Sequence, residues 1–274
     1  MLVGLRLSSH RSWVKLIMEA NSISNRDAMT RGSFPAMLRG SLLILFWGSL
    51  ILFVGPILLL LFALTRRLNV IYAPVRLACR VGLKMTGVRL ECRGSENIRP
   101  DQHYIFVANH QSWLDIPAML LCLGRNFAFL AKKELLKVPI LNIGLRWTGS
   151  VPIDRGDRER AIESTQRAAQ RVRAGRSFIV YPEGTRTPDG QMRPFKKGAF
   201  YMALESQTPI VPVTIAGSYE IMPKGQIGVW PGTIRVIVHP PLDASTYGVK
   251  RLDELIESVW HTIHEALLEC PHQR

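Results

Sequence analysis

The chain has 274 residues, a hydrophobic fraction of 47% and a formal net charge of +14 at pH 7. This length allows one sizeable domain with an appendage. A charge this positive fits a nucleic acid, an anionic lipid surface or a phosphate-bearing substrate as the partner. We disfavour nucleic acid, because a long apolar segment is present and the basic and aromatic residues form no nucleic-acid recognition pattern.

The first part of the chain, residues 1–34, is polar, carries mixed charges and shows weak patterning. It fits either a disordered extension or a stretch that precedes a true translation start at Met18 or Met29. We therefore assign 1–34 as an N-terminal extension outside the folded domain.

A long apolar run follows, with no charged residue from 41 to 65. A bilayer-crossing helix needs about 20 apolar residues, so the run is long enough to enter a membrane. It begins too far from Met1 and continues too long for an ordinary signal peptide. Gly48, Gly55 and Pro56 interrupt the run and predict either a kink or a re-entrant hairpin.

The next segment, 68–87, mixes apolar residues with Arg76, Arg80 and Lys84. This pattern is typical of a helix that lies in the membrane interface with its cationic side toward the headgroups. We assign 35–87 as a membrane-associated helical anchor and expect it to lie in one leaflet, or to form a hairpin, rather than to cross once. Both flanks of the apolar run are basic, so the positive-inside bias does not choose a side.

The cysteine and histidine residues indicate neither a metal site nor a cofactor. Four cysteines are scattered without C-x-x-C spacing, which predicts reduced packing residues in a protein that faces the cytosol. The seven histidines do not cluster with cysteines at metal-ligand spacing. Together with the basic charge, this suggests the inner membrane, with the functional side facing the cytoplasm.

From 88 to 274, short apolar strands alternate with helical patterns, which is typical of an α/β domain. The predicted strands are 88–93, 104–108, 128–131, 150–153, 177–181, 210–216 and 233–238. The predicted helices begin near Asp115, Glu134, Arg158, Lys197 and Val249.

Two loops that follow apolar runs carry residues suited to chemistry. His110 follows the run 104–108, and Asp115 comes five residues later at the opening of a helix. A neutral imidazole can take a proton from a hydroxyl group, and a carboxylate can fix its tautomer and stabilise the imidazolium. The alternative is a purely structural role, with a histidine that caps a turn beside an aspartate that caps a helix. The second loop, 181–186, carries an arginine, and together the loops suggest a transferase acting on an anionic substrate.

The motifs of this chain, and their order, resemble those of a known family. The stretch N-H-Q-S-W-L-D at 109–115 resembles the first signature block of the glycerolipid acyltransferase family, in particular of the lysophosphatidate acyltransferases. Further blocks follow in the family's order, and the resemblance covers about residues 85 to 245. The later similar stretches are 151–155, 181–187, 195–199 and 210–213. The resemblance implies a mixed, mostly parallel sheet flanked by helices.

The resemblance also implies roles for individual residues. His110 and Asp115 would activate the free hydroxyl of a lysophospholipid for direct attack on an acyl thioester, with no covalent enzyme intermediate. Arg155 would contribute to a phosphate site, because arginine grips phosphate oxygens with two parallel bonds. The basic pair before 134 would supply a further cation, and we select Lys133, with Lys132 as the alternative.

The third block, 181–187, would bind substrate through Glu183, Gly184, Thr185 and Arg186. Gly184 lets the backbone approach a ligand without a Cβ atom in the way. Glu183 cannot bind phosphate, so we expect it to orient Arg186 or to accept a hydrogen bond from a glycerol hydroxyl.

The resemblance implies an O-acyltransferase that converts lysophosphatidic acid into phosphatidic acid at the membrane. The donor would be acyl-CoA or acyl carrier protein, used as a co-substrate. One alternative is an acyltransferase for another lyso-lipid, such as lyso-ornithine lipid or a second lysophospholipid. Another is a non-catalytic lipid-binding protein. A hydrolase is disfavoured because the chain has no G-x-S-x-G nucleophile elbow.

Overall fold

The structure, a computed structural model, describes residues 33–154 and 156–270. Residues 1–32 of the predicted extension, and Arg155, lie outside the described residues. The assignment of 1–34 as an extension, and the predicted phosphate contact of Arg155, therefore stay predictions.

A single mixed sheet forms the centre of the described chain. Its strands are β1 (Val88–Arg93), β2 (Ile105–Ala108), β3 (Ala128–Lys132), β4 (Val151–Ile153), β5 (Phe178–Val180), β6 (Ile210–Ala216) and β7 (Gly232–Val238). They lie in the order β1-β7-β6-β2-β5-β3-β4. Every neighbouring pair is parallel except β6 and β7, which are antiparallel. The predicted mixed, mostly parallel sheet is confirmed.

Helices flank the sheet on both faces. They are α1 (Phe34–Ser49), α2 (Gly55–Thr65), α3 (Asn69–Met85), α4 (Asp115–Cys122), α5 (Pro139–Trp147), α6 (Arg158–Arg173), α7 (Gly198–Ser206), α8 (Ser218–Ile221) and α9 (Leu252–Glu269). Short 3-10 helices form at Ser95–Asn97, Lys133–Lys137 and Ala244–Thr246. One core joins the sheet to α3 and α4, and the other joins it to α6, α7 and α9.

The central strand β2 shows why these residues form a buried strand. All four of its residues are buried. Successive side chains of a strand point to opposite faces. Accordingly, Phe106 and Ala108 enter the core beside α3 and α4, while Ile105 and Val107 enter the core beside α6, α7 and α9. A strand that is apolar on both faces is fixed in the middle of the sheet, so the loop that follows it is held at a defined place.

The apolar run forms one continuous helix, Phe34–Thr65, of 32 residues with a mean hydropathy of 2.5. At 1.5 Å per residue it is about 48 Å long, against a hydrocarbon core of about 30 Å. By length and composition it can cross a membrane. A π-helical section, Leu50–Val54, interrupts it. The helical hydrogen-bonding pattern therefore changes at the predicted interruption, and the alternative of a re-entrant hairpin within the run is wrong.

The anchor helix is fastened to the α/β domain near its start. The N–H of Val229 donates to the carbonyl of Ala36 at 3.0 Å. A Cβ atom added at Gly40 would lie 1.8 Å from the carbonyl oxygen of Ile227. Only glycine permits this backbone approach, so the sequence itself sets how closely α1 packs on the segment before β7.

A disulfide joins the edge strand to the helix that begins at Asp115. Cys92 on β1 and Cys122 at the end of α4 are bonded, with Cα atoms 5.6 Å apart. Cys79 and Cys270 are free thiols. The prediction that all four cysteines are reduced is wrong for this pair, which lies 30 residues apart in sequence and meets only through the tertiary fold. The spacing of the cysteines therefore does not decide which side of a membrane the domain faces.

Candidate active site

The two motif loops meet at the carboxyl ends of two inner strands of the sheet. They follow β2 and β5, which are adjacent and parallel, with Val107 paired with Val180 in register. The carboxyl ends of parallel strands lie on the same side of the sheet, and ligands bind there in open α/β sheets. The side-chain amide of Asn109 also bonds both backbone groups of Ile215 on β6, at 2.8 Å each. The loop that carries His110 is thus fixed to β6, which neighbours β2 on the side away from β5.

His110 and Asp115 form a hydrogen-bonded pair. Nδ1 of His110 lies 2.8 Å from Oδ2 of Asp115. The same carboxylate oxygen accepts the backbone N–H groups of Gln111 at 2.7 Å and of Ser112 at 2.9 Å. Asp115 is fully buried, so these bonds hold the imidazole in one orientation. With Nδ1 engaged, Nε2 is the ring nitrogen left for a substrate hydroxyl.

Tyr181 contributes a contact that the sequence analysis missed. Its ring stacks on the imidazole of His110, with centroids 4.1 Å apart and an interplanar angle of 18°. Burial, and secondly the charge of Asp115, raise the pKa of the phenol well above its ordinary value, so the ring stays neutral. The third block could have signalled an aromatic residue here, but only the register of β2 with β5 shows that it covers the histidine.

Glu183 joins the two loops through backbone bonds. Its carboxylate accepts the N–H of His110 at 2.8 Å and the N–H of Arg193 at 3.2 Å. In return, the N–H of Thr187 donates to the carbonyl of His110 at 2.9 Å. Burial is the main cause that raises the pKa of Glu183 to about 7. The geometry therefore gives Glu183 a positioning role toward the base, and its expected pairing with Arg186 is not observed.

Arg186 lies beside the base loop rather than against a carboxylate. Its Cζ atom sits 4.4 Å from the ring centroid of Trp113, a cation–π contact. Partial burial is the main cause that lowers the pKa of the guanidinium, which nevertheless stays charged. Among the described residues, no carboxylate lies within 4.0 Å of it to form an ion pair. Its donors are therefore available to an anionic ligand.

Two lysines that were not predicted as site residues reach the same loop. Gly184 has φ +77°, and a Cβ atom there would lie 3.0 Å from Nζ of Lys196. The hydroxyl of Thr185 accepts a hydrogen bond from Nζ of Lys224 at 3.2 Å. The resemblance at 195–199 was a signal for Lys196, whereas nothing in the sequence pointed to Lys224.

Lys133 also lies at the carboxyl end of its strand, but β3 is two strands away from β2, which carries the loop of His110 and Asp115. Lys133 forms an ion pair with Asp154, with Nζ 2.5 Å from Oδ2, and this bond is the main cause that lowers the pKa of Asp154. Lys132 lies 3.7 Å from Glu134. The structure therefore brings together His110 with residues of the third block, while both predicted lysines contact carboxylates near β3 and β4.

An apolar cavity of about 510 Å³ lies between the anchor helix, α3 and α5. Leu120, on the helix that begins at Asp115, is among its lining residues, but none of the motif residues is. The cavity is thus a separate space next to α4 and does not include the motif loops. In the part of the chain that the structure describes, no group of three His, Cys, Asp or Glu side chains could hold a metal ion.

The chain is similar to known acyltransferases. A 1-acyl-sn-glycerol-3-phosphate acyltransferase of Brassica napus chloroplasts, BAT2, is 36% identical over 181 residues, which cover 65% of this chain and 51% of the relative. The alpha enzyme of the same name from Homo sapiens is 33% identical over 178 residues, which cover 65% of this chain and 63% of the relative. The chain thus spans about half to two thirds of these relatives' length.

A solved structure and a family model complete the comparison. The crystal structure of the 1-acyl-sn-glycerophosphate (LPA) acyltransferase PlsC from Thermotoga maritima is 29% identical, with a TM-score of 0.77. The match covers 87% of this chain and 98% of that one. Residues 89–216 match the model of the Acyltransferase family. The strands from Arg89 to the end of β6 and both motif loops fall within that match, so the chain is similar to this family over the part that carries the candidate site.

Proposed function

We propose that this protein transfers a fatty acyl group from an acyl thioester to the sn-2 hydroxyl of lysophosphatidic acid, giving phosphatidic acid and a free thiol. The observation that carries this proposal is the buried pair of His110 and Asp115, which leaves Nε2 for a substrate. The relatives named above, which are acyltransferases of 1-acylglycerol 3-phosphate, support the choice of acceptor.

The chemistry follows from the pair. Nε2 of His110 takes the proton of the lipid hydroxyl as its oxygen attacks the thioester carbonyl carbon. Asp115 stabilises the imidazolium that forms, because it accepts the Nδ1 hydrogen bond at 2.8 Å. The tetrahedral intermediate collapses as the C–S bond breaks, and the imidazolium returns the proton to the leaving thiolate. The new ester bond completes the acceptor lipid, and the histidine is neutral again.

The acceptor phosphate would bind beside the base. Arg186 presents a planar fork that suits phosphate oxygens and is free of carboxylate partners among the described residues. Arg155 would add a second cation, as the sequence predicts. A phosphomonoester carries close to two negative charges at neutral pH, so more than one cation is required to balance it.

The apolar cavity and the anchor would serve the lipid tails. A cavity of about 510 Å³ with an apolar lining can take an acyl chain that leaves the bilayer beside the anchor. We place the active site on the cytoplasmic side of the inner membrane, where the basic surface would meet anionic lipid and soluble acyl donors. Trypsin should cleave the α/β domain in inside-out membrane vesicles and spare it in right-side-out vesicles.

The test is acyl transfer by the purified full chain in lipid nanodiscs. Labelled acyl-CoA and labelled acyl carrier protein are each offered with an acceptor panel of lysophosphatidic acid, lysophosphatidylcholine and lyso-ornithine lipid. We expect phosphatidic acid as the main product, and loss of at least about a thousandfold in rate for His110→Ala. His261→Ala, which changes an exposed histidine of α9, is the matched control. A faster rate with another acceptor would contradict the proposed substrate.

A further inference from the structure

The loop Gly184–Arg186 carries one arginine and is contacted by two lysines from other parts of the chain. Lys196 comes from the segment before α7, and Lys224 comes from the segment between α8 and β7. Their ammonium groups lie against Gly184 and Thr185, and Arg186 is the next residue. Lys196 and Lys224 thus contact adjacent residues of this loop, and Arg186 follows these residues directly in the chain.

Among the described residues, Lys196 and Lys224 differ from Lys132, Lys133 and Lys197 in having no carboxylate partner. The neighbouring Lys197 pairs with Asp253 at 2.6 Å. Lys133 pairs with Asp154 at 2.5 Å. Neither Lys196 nor Lys224 has a carboxylate within 4.0 Å among the described residues. Like charges gathered at one place repel each other, and an anion bound between them would remove that repulsion.

The hydroxyl of Thr185 points to the same kind of ligand. A hydroxyl group has one hydrogen to donate and two lone pairs. The bond from Lys224 at 3.2 Å uses a lone pair, so the hydroxyl hydrogen is left to donate. An acceptor-only group such as a phosphate oxygen suits a loop that offers ammonium, guanidinium and hydroxyl donors.

We propose that Lys196 and Lys224 are phosphate-binding residues, which join Arg186 in a three-cation site for a phosphomonoester. This inference rests on the proposed function and adds the residues that recognise the substrate's charge. The site adjoins the base because Glu183, one residue before Gly184, bonds the N–H of His110 at 2.8 Å. Two sources carry such a group: the headgroup of the acceptor lipid and the 3′-phosphate of an acyl-CoA donor.

The experiment compares Lys196→Met and Lys224→Met with the control Lys197→Met in the full chain in nanodiscs. KM is measured for lysophosphatidic acid and for acyl-CoA, and again with acyl-dephospho-CoA as the donor. Each loss of a charge-assisted hydrogen bond should raise the affected KM about ten- to hundredfold, while Lys197→Met stays within about twofold of wild type. A rise for the acceptor assigns the site to the headgroup. A rise for acyl-CoA that disappears with the dephospho donor assigns it to the donor.

A second readout does not depend on turnover. Glycerol 3-phosphate should raise the melting temperature of the wild-type protein and of Lys197→Met, but much less that of Lys196→Met or Lys224→Met. Lys224→Arg, which keeps the charge, should recover most of the shift. If both lysine variants match Lys197→Met in KM for every substrate and in this shift, the inference is wrong. If the wild type makes no phosphatidic acid yet shows the shift, the proposed acceptor fails and the phosphate site stands.

Discussion

The charged side chains near the central strands of the sheet and those near its lateral edge differ in whether they form ion pairs. At the centre, after β2 and β5, Arg186 has no carboxylate partner among the described residues, and its loop is fixed by bonds through Glu183. At the edge, after β3 and β4, Lys133 is paired with Asp154. In the sequence both places are basic motif segments. A cation of a motif is therefore available for an anionic substrate only where the fold leaves it without a carboxylate partner.

The largest expected contrast between centre and edge is in catalysis. Arg186→Ala would remove two charge-assisted bonds to phosphate and should lower kcat/KM for lysophosphatidic acid about a thousandfold. Lys133→Met breaks an ion pair that is half exposed and should lower it less than about fivefold. Steady-state kinetics of both variants with one donor measures the contrast. Equal losses would remove the distinction between centre and edge.

Glu183 offers a test through pH and stability. Its folded pKa of about 7 lies above the ordinary value of 4.5, so the folded protein holds an extra proton between these values. The free energy of unfolding should therefore fall as pH rises from about 4.5 to 7, by at most about 3 kcal/mol from this group. Glu183→Gln is neutral at every pH, as Glu183 is at low pH, and should lack this slope. Thermal unfolding in detergent across that range measures the difference, and parallel slopes would contradict the assigned pKa.

The smallest expected effect is at Tyr181. Its buried hydroxyl has no hydrogen-bond partner among the described residues. Tyr181→Phe keeps the stack on His110 and should stabilise the protein by about 1 kcal/mol, with activity within about threefold of wild type. Tyr181→Leu removes the stack on His110. Its acyl-transfer rate should fall below that of Tyr181→Phe, while its melting temperature changes little. Activity and melting temperature of the two variants decide this, and a severe loss in Tyr181→Phe would give the hydroxyl a role that the stack does not explain.

Much of the fold could be predicted from the sequence because its strands are short apolar runs with clear ends. β1 and β6 begin and end at the predicted residues, and the other five strands deviate by one or two residues. His110 and Asp115 were predicted because their spacing lies within one loop. The interruptions of the apolar run were harder to interpret, since glycine and proline permit both a turn and a π-helical section, and packing decides between them.

The missed features share one physical cause, which is that they join residues far apart in the chain. The disulfide between Cys92 and Cys122 depends on where α4 lies over β1. Lys224 reaches Thr185 across 39 residues. The stack of Tyr181 on His110 depends on the pairing of β2 with β5. Sequence motifs report local spacing, so they cannot show which side chains a tertiary fold brings into contact.

The central claim is that His110 acts as a base because Asp115 holds and stabilises it. Asp115→Asn keeps the size of the side chain and an oxygen that can accept the two backbone N–H groups, but it removes the charge that stabilises an imidazolium. We predict that single-turnover acyl transfer to lysophosphatidic acid falls by about a hundredfold or more, with the melting temperature nearly unchanged. A transfer rate within about threefold of wild type would contradict the account.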